Sequence, residues 1–164
     1  MSTESEARDA HIHKNYLDWT HIETLVDRLI ERLPGHYDAL LVIARGGMIP
    51  GCLISERMDI RNILVAAVMY YTEPGHTLDR PLFLQFPDDI LLANKHILVV
   101  DDVWDSGRTV MAVRERLAAV GCRFDVATLH YKPNRSQFAE RPDYYAEERD
   151  DWIVYPWDPE SDRG

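Results

Sequence analysis

Hydrophobic positions along the chain fall into helical stripes separated by short continuous apolar runs. Ile22, Leu25, Val26, Leu29, Ile30 and Leu33 recur at three- and four-residue spacing, which predicts a helix with one apolar face. Thr20-His21-Ile22-Glu23 has the form of a capping box at its start, and Pro34-Gly35 stops it. Ala39-Leu40-Leu41-Val42-Ile43 is continuous rather than alternating, as expected of a strand covered on both faces. It ends at Ala44-Arg45-Gly46-Gly47, after which Pro50 sits in the first turn of a helix reaching about Met58. A second strand is predicted across 62–70 and another over 82–86. Between them, 71–81 carry Pro74, Gly75 and scattered polar residues without a period, so the segment is a loop, either a lid or a surface excursion.

Pro87-Asp88-Asp89 turns the chain toward Ile97-Leu98-Val99-Val100, a buried strand that ends at Asp101 and Asp102 and gives way to a polar loop. Val110, Val113, Leu117 and Val120 then mark a helix stopped by Gly121, and 124–130 form the next strand. Strands alternating with helices at short intervals define an α/β fold, a mostly parallel sheet flanked by helices. From Tyr131 the pattern changes: 131–158 are rich in Tyr, Trp, Pro and acid, with no helical or alternating period. Such aromatics either cap the core or form a flat-sided cover for a planar ligand.

Composition narrows the class. At 164 residues and 46% hydrophobic the chain suffices for one domain with a full core, read as a flexible 1–15 followed by a single domain over 16–164. A net charge of −10 with no basic cluster argues against a phosphate-backbone partner, so no nucleic acid is expected. Cys52 and Cys122 lie in apolar neighbourhoods without metal-ligand spacing and read as two buried thiols of a reducing cytoplasm. The polar first ten residues are unlike a signal peptide, and no apolar run reaches membrane-spanning length. A cytoplasmic, soluble protein with no membrane span is the expectation.

The chemistry concentrates at the end of the 97–100 strand. Asp101 and Asp102 could accept hydrogen bonds from vicinal hydroxyls or hold a divalent cation. Ser106, Gly107, Arg108 and Thr109 open a helix, where backbone amides and two hydroxyls can surround a phosphate at the positive end of the helix dipole.

Val99-Val100-Asp101-Asp102-Val103-Trp104-Asp105-Ser106-Gly107-Arg108-Thr109 closely resembles the phosphoribosyl pyrophosphate (PRPP) signature of the type I phosphoribosyltransferases. Ala44-Arg45-Gly46-Gly47 resembles the pyrophosphate loop of the same family, which in the purine enzymes often holds a cis peptide before its basic residue, here Ala44–Arg45. Trp152-Ile153-x-x-Pro156-Trp157-Asp158, with Tyr131-Lys132-Pro133 upstream, resembles the hood of the bacterial xanthine-guanine enzymes. The resemblance covers residues 16 to 158, with a core over 16–130 and a hood over 131–158.

That resemblance implies transfer of phosphoribose from PRPP to N9 of a 6-oxopurine (xanthine, guanine or hypoxanthine) with release of pyrophosphate. It implies that Arg45, Gly46, Gly47 and Arg80 receive pyrophosphate, Asp101 and Asp102 the ribose, and Ser106, Gly107, Arg108 and Thr109 the 5′-phosphate. Asp105 is the implied catalytic carboxylate, Asp102 the ligand of Mg2+, and Lys132, Trp152 and Ile153 the purine contacts, in a homo-oligomer (dimer or tetramer). Three departures stand out. Arg108 replaces a second glycine, Trp104 replaces a small aliphatic residue and so either packs beneath the loop or narrows the pocket, and the 71–81 loop is longer. Two other readings share the fold: a PRPP-sensing regulator that binds nucleic acid, and a transferase for adenine or a pyrimidine.

Overall fold

The computed structural model describes residues 13–71 and 80–160. In chain order the elements are β1 (Lys14–Tyr16), α1 (Trp19–Arg32), β2 (Ala39–Ala44), α2 (Met48–Met58), β3 (Ile63–Tyr71) and β4 (Arg80–Gln85). They continue with α3 (Asp89–Leu92), β5 (His96–Trp104), α4 (Arg108–Val120), β6 (Arg123–Tyr131), β7 (Tyr144–Glu148) and β8 (Trp152–Val154). A six-stranded sheet has the order β4-β3-β2-β5-β6-β7, all parallel except β3 with β4. β1 and β8 pair with each other as a separate parallel ribbon.

The continuous apolar runs are explained by cover on both faces of this sheet. Leu40 and Val42 of β2 with Leu98 and Val100 of β5 meet Ile22, Val26, Leu29 and Ile54 of α1 and α2. Their neighbours Leu41, Ile43, Ile97 and Val99 point the other way, into Val110, Val113 and Leu117 of α4. Residues 39–43 and 97–100 are therefore all buried, and alternation disappears from the sequence there.

This topology also fixes where a ligand can sit. β2 and β5 lie side by side in register from Ala39↔Ile97 to Val42↔Val100, but the chain leaves them in opposite directions, to β3 and to β6. A crevice opens outside the carboxyl ends of two such strands, and those ends carry Arg45 to Gly47 and Asp101 to Asp105.

Several sequence expectations are corrected. The cap of α1 is Asp18, whose Oδ1 accepts from the His21 N–H at 2.8 Å, because the helix starts at Trp19 and Thr20 already lies inside it. The apolar stripe begins only at Ile22 and so could not mark the first turn. Lys14 and Asn15, assigned to the flexible lead-in, belong to β1 and pair with Trp152 and Ile153. β5 does not end at the aspartates; pairing with β6 carries it through them to Trp104↔Tyr131. The turn at 87–89 leads into the short α3, and 131–158 contain β7 and β8, so part of the expected hood is the edge of the main sheet. Both cysteines are free thiols, Cys122 buried as expected but Cys52 exposed on α2. The lid proposed over 71–81 lies largely outside the described residues. Among the described residues no helix is long and apolar enough to cross a membrane.

Candidate active site

At one end of the crevice the N-terminus of α4 forms an anion-sized pocket of about 90 Å3, lined by Asp101 and by residues 103–110. Gly107 is the N-cap in a left-handed conformation (φ 85°) and, having no side chain, caps none of the first-turn amides itself. A helix opened this way suits an anion at its first turn. Of the residues expected here, Ser106, Gly107 and Thr109 do line the pocket, with Ser106 Oγ 3.4 Å from the Arg108 amide. Arg108 also lines it, but its guanidinium lies over the Tyr70 ring, 4.2 Å from the centroid, and its carbonyl accepts from the Tyr70 hydroxyl at 2.6 Å. Trp104 packs beneath the loop: it is fully buried, its indole N–H donates to Ser136 Oγ at 3.0 Å, and its ring stands edge-on to Tyr131.

The middle of the crevice is a cleft of about 650 Å3 bordered by Arg45, Gly46, Asp101, Asp102, Thr109 and Asp158, among others. The Ala44–Arg45 peptide is cis. A Cβ on Gly46 would lie 2.5 Å from the Asp102 carboxyl carbon, so the absent side chain is what lets the two loops meet. Gly47 plays a different part from the one expected. Its N–H donates to Ile43 O at 2.8 Å and is not offered to the cleft; a Cβ there would collide with the backbone of Val100 and Ile43. Arg80 begins the edge strand β4, exposed, and is not among the residues bordering the cleft.

Electrostatics single out the aspartate pair. Burial, then the charge of Asp102, holds the Asp101 carboxyl well above the usual carboxylate range. Burial pushes Asp102 up to about 6, although the Asp101 side chain and the Val103 amide (2.7 Å) favour its charged form. Two acids that resist ionisation together suit a cation or hydroxyl donors as partners. Among the described residues no group of three or more His, Cys, Asp or Glu side chains is placed to hold a metal, and the adjacent carboxylates at the cleft are this pair. That set fits Mg2+, which is commonly held by one or two carboxylates together with substrate phosphates.

At the other end, Trp152, Ile153, Val154, Asp158, Pro159 and Glu160 line a pocket of about 420 Å3. Trp152 is 49% exposed, with a flat face available, and the Lys14 ammonium stands 6.0 Å from its ring centroid. Asp158 and Pro159 border both this pocket and the cleft, and Asp101 borders both the cleft and the phosphate-sized pocket. Lys132 is buried (6% exposed), its Nζ 3.9 Å from Asp105 Oδ2. Arg135 donates to Asp105 Oδ1 at 2.6 Å, a partner that sequence reasoning missed because nothing but the turn after Lys132 brings it there. Met48, Ile49, Trp157 and Asp158 were also missed as cleft residues, although Trp157-Asp158 lay inside the motif already recognised.

The comparisons with known proteins agree with this geometry. Residues 12–163 match the phosphoribosyl transferase domain family. The chain is 32% identical over 170 residues to the xanthine-guanine phosphoribosyltransferase of a Ruegeria species, covering 96% of this chain and 93% of that one. Among solved structures it is similar to a purine phosphoribosyltransferase from Pyrococcus horikoshii, with TM-score 0.76, 30% identity, and coverage of 88% and 93% of the two chains. It is equally similar in fold to a Neisseria gonorrhoeae protein with bound ppGpp, with TM-score 0.76, 27% identity, and coverage of 93% and 94%. With an aspartate pair in the C-terminal half of β5, a glycine-capped helix start beyond it and a family match over nearly its whole length, the chain belongs to the phosphoribosyl transferase family.

Proposed function

We propose that this protein is a purine salvage phosphoribosyltransferase that moves the phosphoribosyl group of PRPP to N9 of a 6-oxopurine. The observation that carries the reading is the order of compartments: an anion pocket, a cleft with paired carboxylates and an aromatic pocket, each sharing a residue with the next. PRPP and a purine present phosphate, ribose with pyrophosphate, and a planar heterocycle in the same order.

In this reading N9 of the base forms a bond to the anomeric carbon while the bond from that carbon to pyrophosphate oxygen breaks, the pyrophosphate leaving with the electron pair. The proton given up by the imidazole edge passes to Asp105. The protein's task is alignment and charge placement more than covalent chemistry. The 5′-phosphate rests on the first turn of α4 with Ser106 and Thr109, and the ribose hydroxyls donate to Asp101 and Asp102. Arg45 and the Gly46 amide receive pyrophosphate, and Arg80, the first residue of β4, is the candidate second cation for it. Asp102 would hold Mg2+, whose charge would offset that of the leaving group. Trp152 stacks on the purine, the Ile153 backbone contacts its edge, and the Lys132 ammonium donates to the 6-oxo oxygen.

The reading includes a homo-oligomer, a dimer or tetramer, supported by the exposed apolar residues Met69, Leu82 and Leu84 on β3 and β4. It places the protein in the cytoplasm, where free Cys52 and Cys122 would persist. The test is pyrophosphate release from PRPP with Mg2+ and xanthine, guanine, hypoxanthine or adenine. Release with one or more 6-oxopurines is expected; release with none refutes the reading, and preference for adenine refutes the assignment of Lys132. An anion pocket and a pyrophosphate-receiving cleft beside an aromatic pocket also suit a guanine nucleotide with two diphosphate groups, such as the ppGpp of the Neisseria protein. Competition by ppGpp in the same assay tests that second occupant.

A further inference from the structure

Trp104 replaces a small residue in the PRPP signature, and its surroundings give it a task. Three hydrogen bonds close a ring through it. Its carbonyl accepts from the Lys132 N–H at 3.0 Å, the Lys132 carbonyl accepts from the Ser136 N–H at 3.1 Å, and Ser136 Oγ accepts from the Trp104 indole at 3.0 Å. A fourth bond, from the Gln137 N–H to Ser106 O at 3.0 Å, ties the same turn to the phosphate loop. Above the ring sits Gly107, whose missing Cβ would lie 2.6 Å from Trp104 Cε2. The buried indole therefore touches the phosphate loop on one side and hydrogen-bonds the turn that carries Lys132 and Arg135 on the other.

We propose that Trp104 is a positioning residue which, through Ser136, ties the placement of Lys132 to the conformation of the phosphate loop, so that filling the 5′-phosphate pocket prepares the base pocket. This rests on the transferase reading for its consequence in turnover, though not for the physical link. The turn from Lys132 to Ser136 has no strand pairing of its own, and it holds both groups that reach Asp105, Lys132 Nζ at 3.9 Å and Arg135 Nε at 2.6 Å. An indole is suited to the link. It fills the space under Gly107 and still presents one donor at its edge, which a small aliphatic residue at 104 cannot do.

The decisive variant is Ser136→Ala, which removes the acceptor and leaves the phosphate loop's own residues intact. With loss of one part-buried hydrogen bond, beside the longer exposed ones between Ser136 Oγ and the Phe138 backbone, KM for the 6-oxopurine should rise about fivefold to tenfold while KM for PRPP stays within about twofold. Trp104→Phe keeps a ring beneath Gly107 without the N–H, and the double variant should be no worse than the worse single one, since both act through one bond. Independently of turnover, ribose 5-phosphate should shift the backbone amide resonance of Lys132 in the wild-type protein and leave it in place in Ser136→Ala. Equal effects on both KM values, no effect on either, additive single variants, or a Lys132 shift that persists in Ser136→Ala would each overturn the proposal. If the wild-type protein turns over no purine, the functional reading fails, and the resonance experiment alone decides this one.

Discussion

Replacing Gly107 by alanine tests how tightly the phosphate loop is built on Trp104. Two costs are expected. The residue holds φ 85°, and a side chain in the left-handed region costs about 1–2 kcal/mol. The new Cβ would also lie 2.6 Å from Trp104 Cε2 and 2.9 Å from Cζ2, against a ring that is fully buried and cannot swing away. Overpacking of that kind costs about 1–3 kcal/mol, so Gly107→Ala should destabilise by about 2–5 kcal/mol in total. Trp104→Leu separates the two, because a leucine no longer reaches beneath Gly107. In that background the same alanine should cost only the backbone share, about 1–2 kcal/mol. Urea unfolding read from the midpoint at unchanged slope measures both penalties. Equal penalties in the two backgrounds, or one below about 1 kcal/mol in the wild-type background, would show that the indole is not what fills the space.

His130 is fully buried, its Nδ1 2.8 Å from the Tyr155 hydroxyl, and burial lowers its pKa to about 4. Between about 6.5 and about 4 the unfolded chain takes up a proton that the folded chain refuses, so its stabilisation is present above that window and lost as pH falls through it. The stability difference between wild type and His130→Phe should change by about 3 kcal/mol between pH 7 and pH 4, and a pH-independent difference refutes this. Gly46→Ala should chiefly raise KM for PRPP, because its Cβ meets the Asp102 side chain, whereas Gly47→Ala should lower the melting temperature, because its Cβ meets strand backbone. Indistinguishable variants would contradict that division. Lys132→Met should reduce kcat/KM for 6-oxopurines roughly tenfold to a hundredfold, the range for a lost charged hydrogen bond, with little change in any adenine rate.

The α/β class and the parallel core were legible because continuous apolar runs between turn signals say the same thing in any fold, whereas the segments proposed for the site were read chiefly through a family resemblance. What escaped was set by tertiary pairing. β5 passes through Asp101 and Asp102 because β6 is long enough to hold it, and the acidic, aromatic 144–148 become a strand only because β6 offers an edge. Trp104 could be read as under the loop or in the pocket until Ser136 was seen to accept its N–H. Arg135 reaches Asp105 through a turn whose shape no periodicity announces.

The small ribbon formed by β1 and β8 gives the two ends of the site different histories. The lining of the phosphate end, Asp101 and residues 103–110, comes from one short stretch of chain. Trp152 and Ile153, by contrast, are held by Lys14 and Asn15, so the aromatic pocket joins the start of the chain to its far end. As a ribosome releases the protein from the amino terminus onward, Lys14 and Asn15 wait for a strand made far later, so the aromatic pocket closes only once both ends of the domain are present.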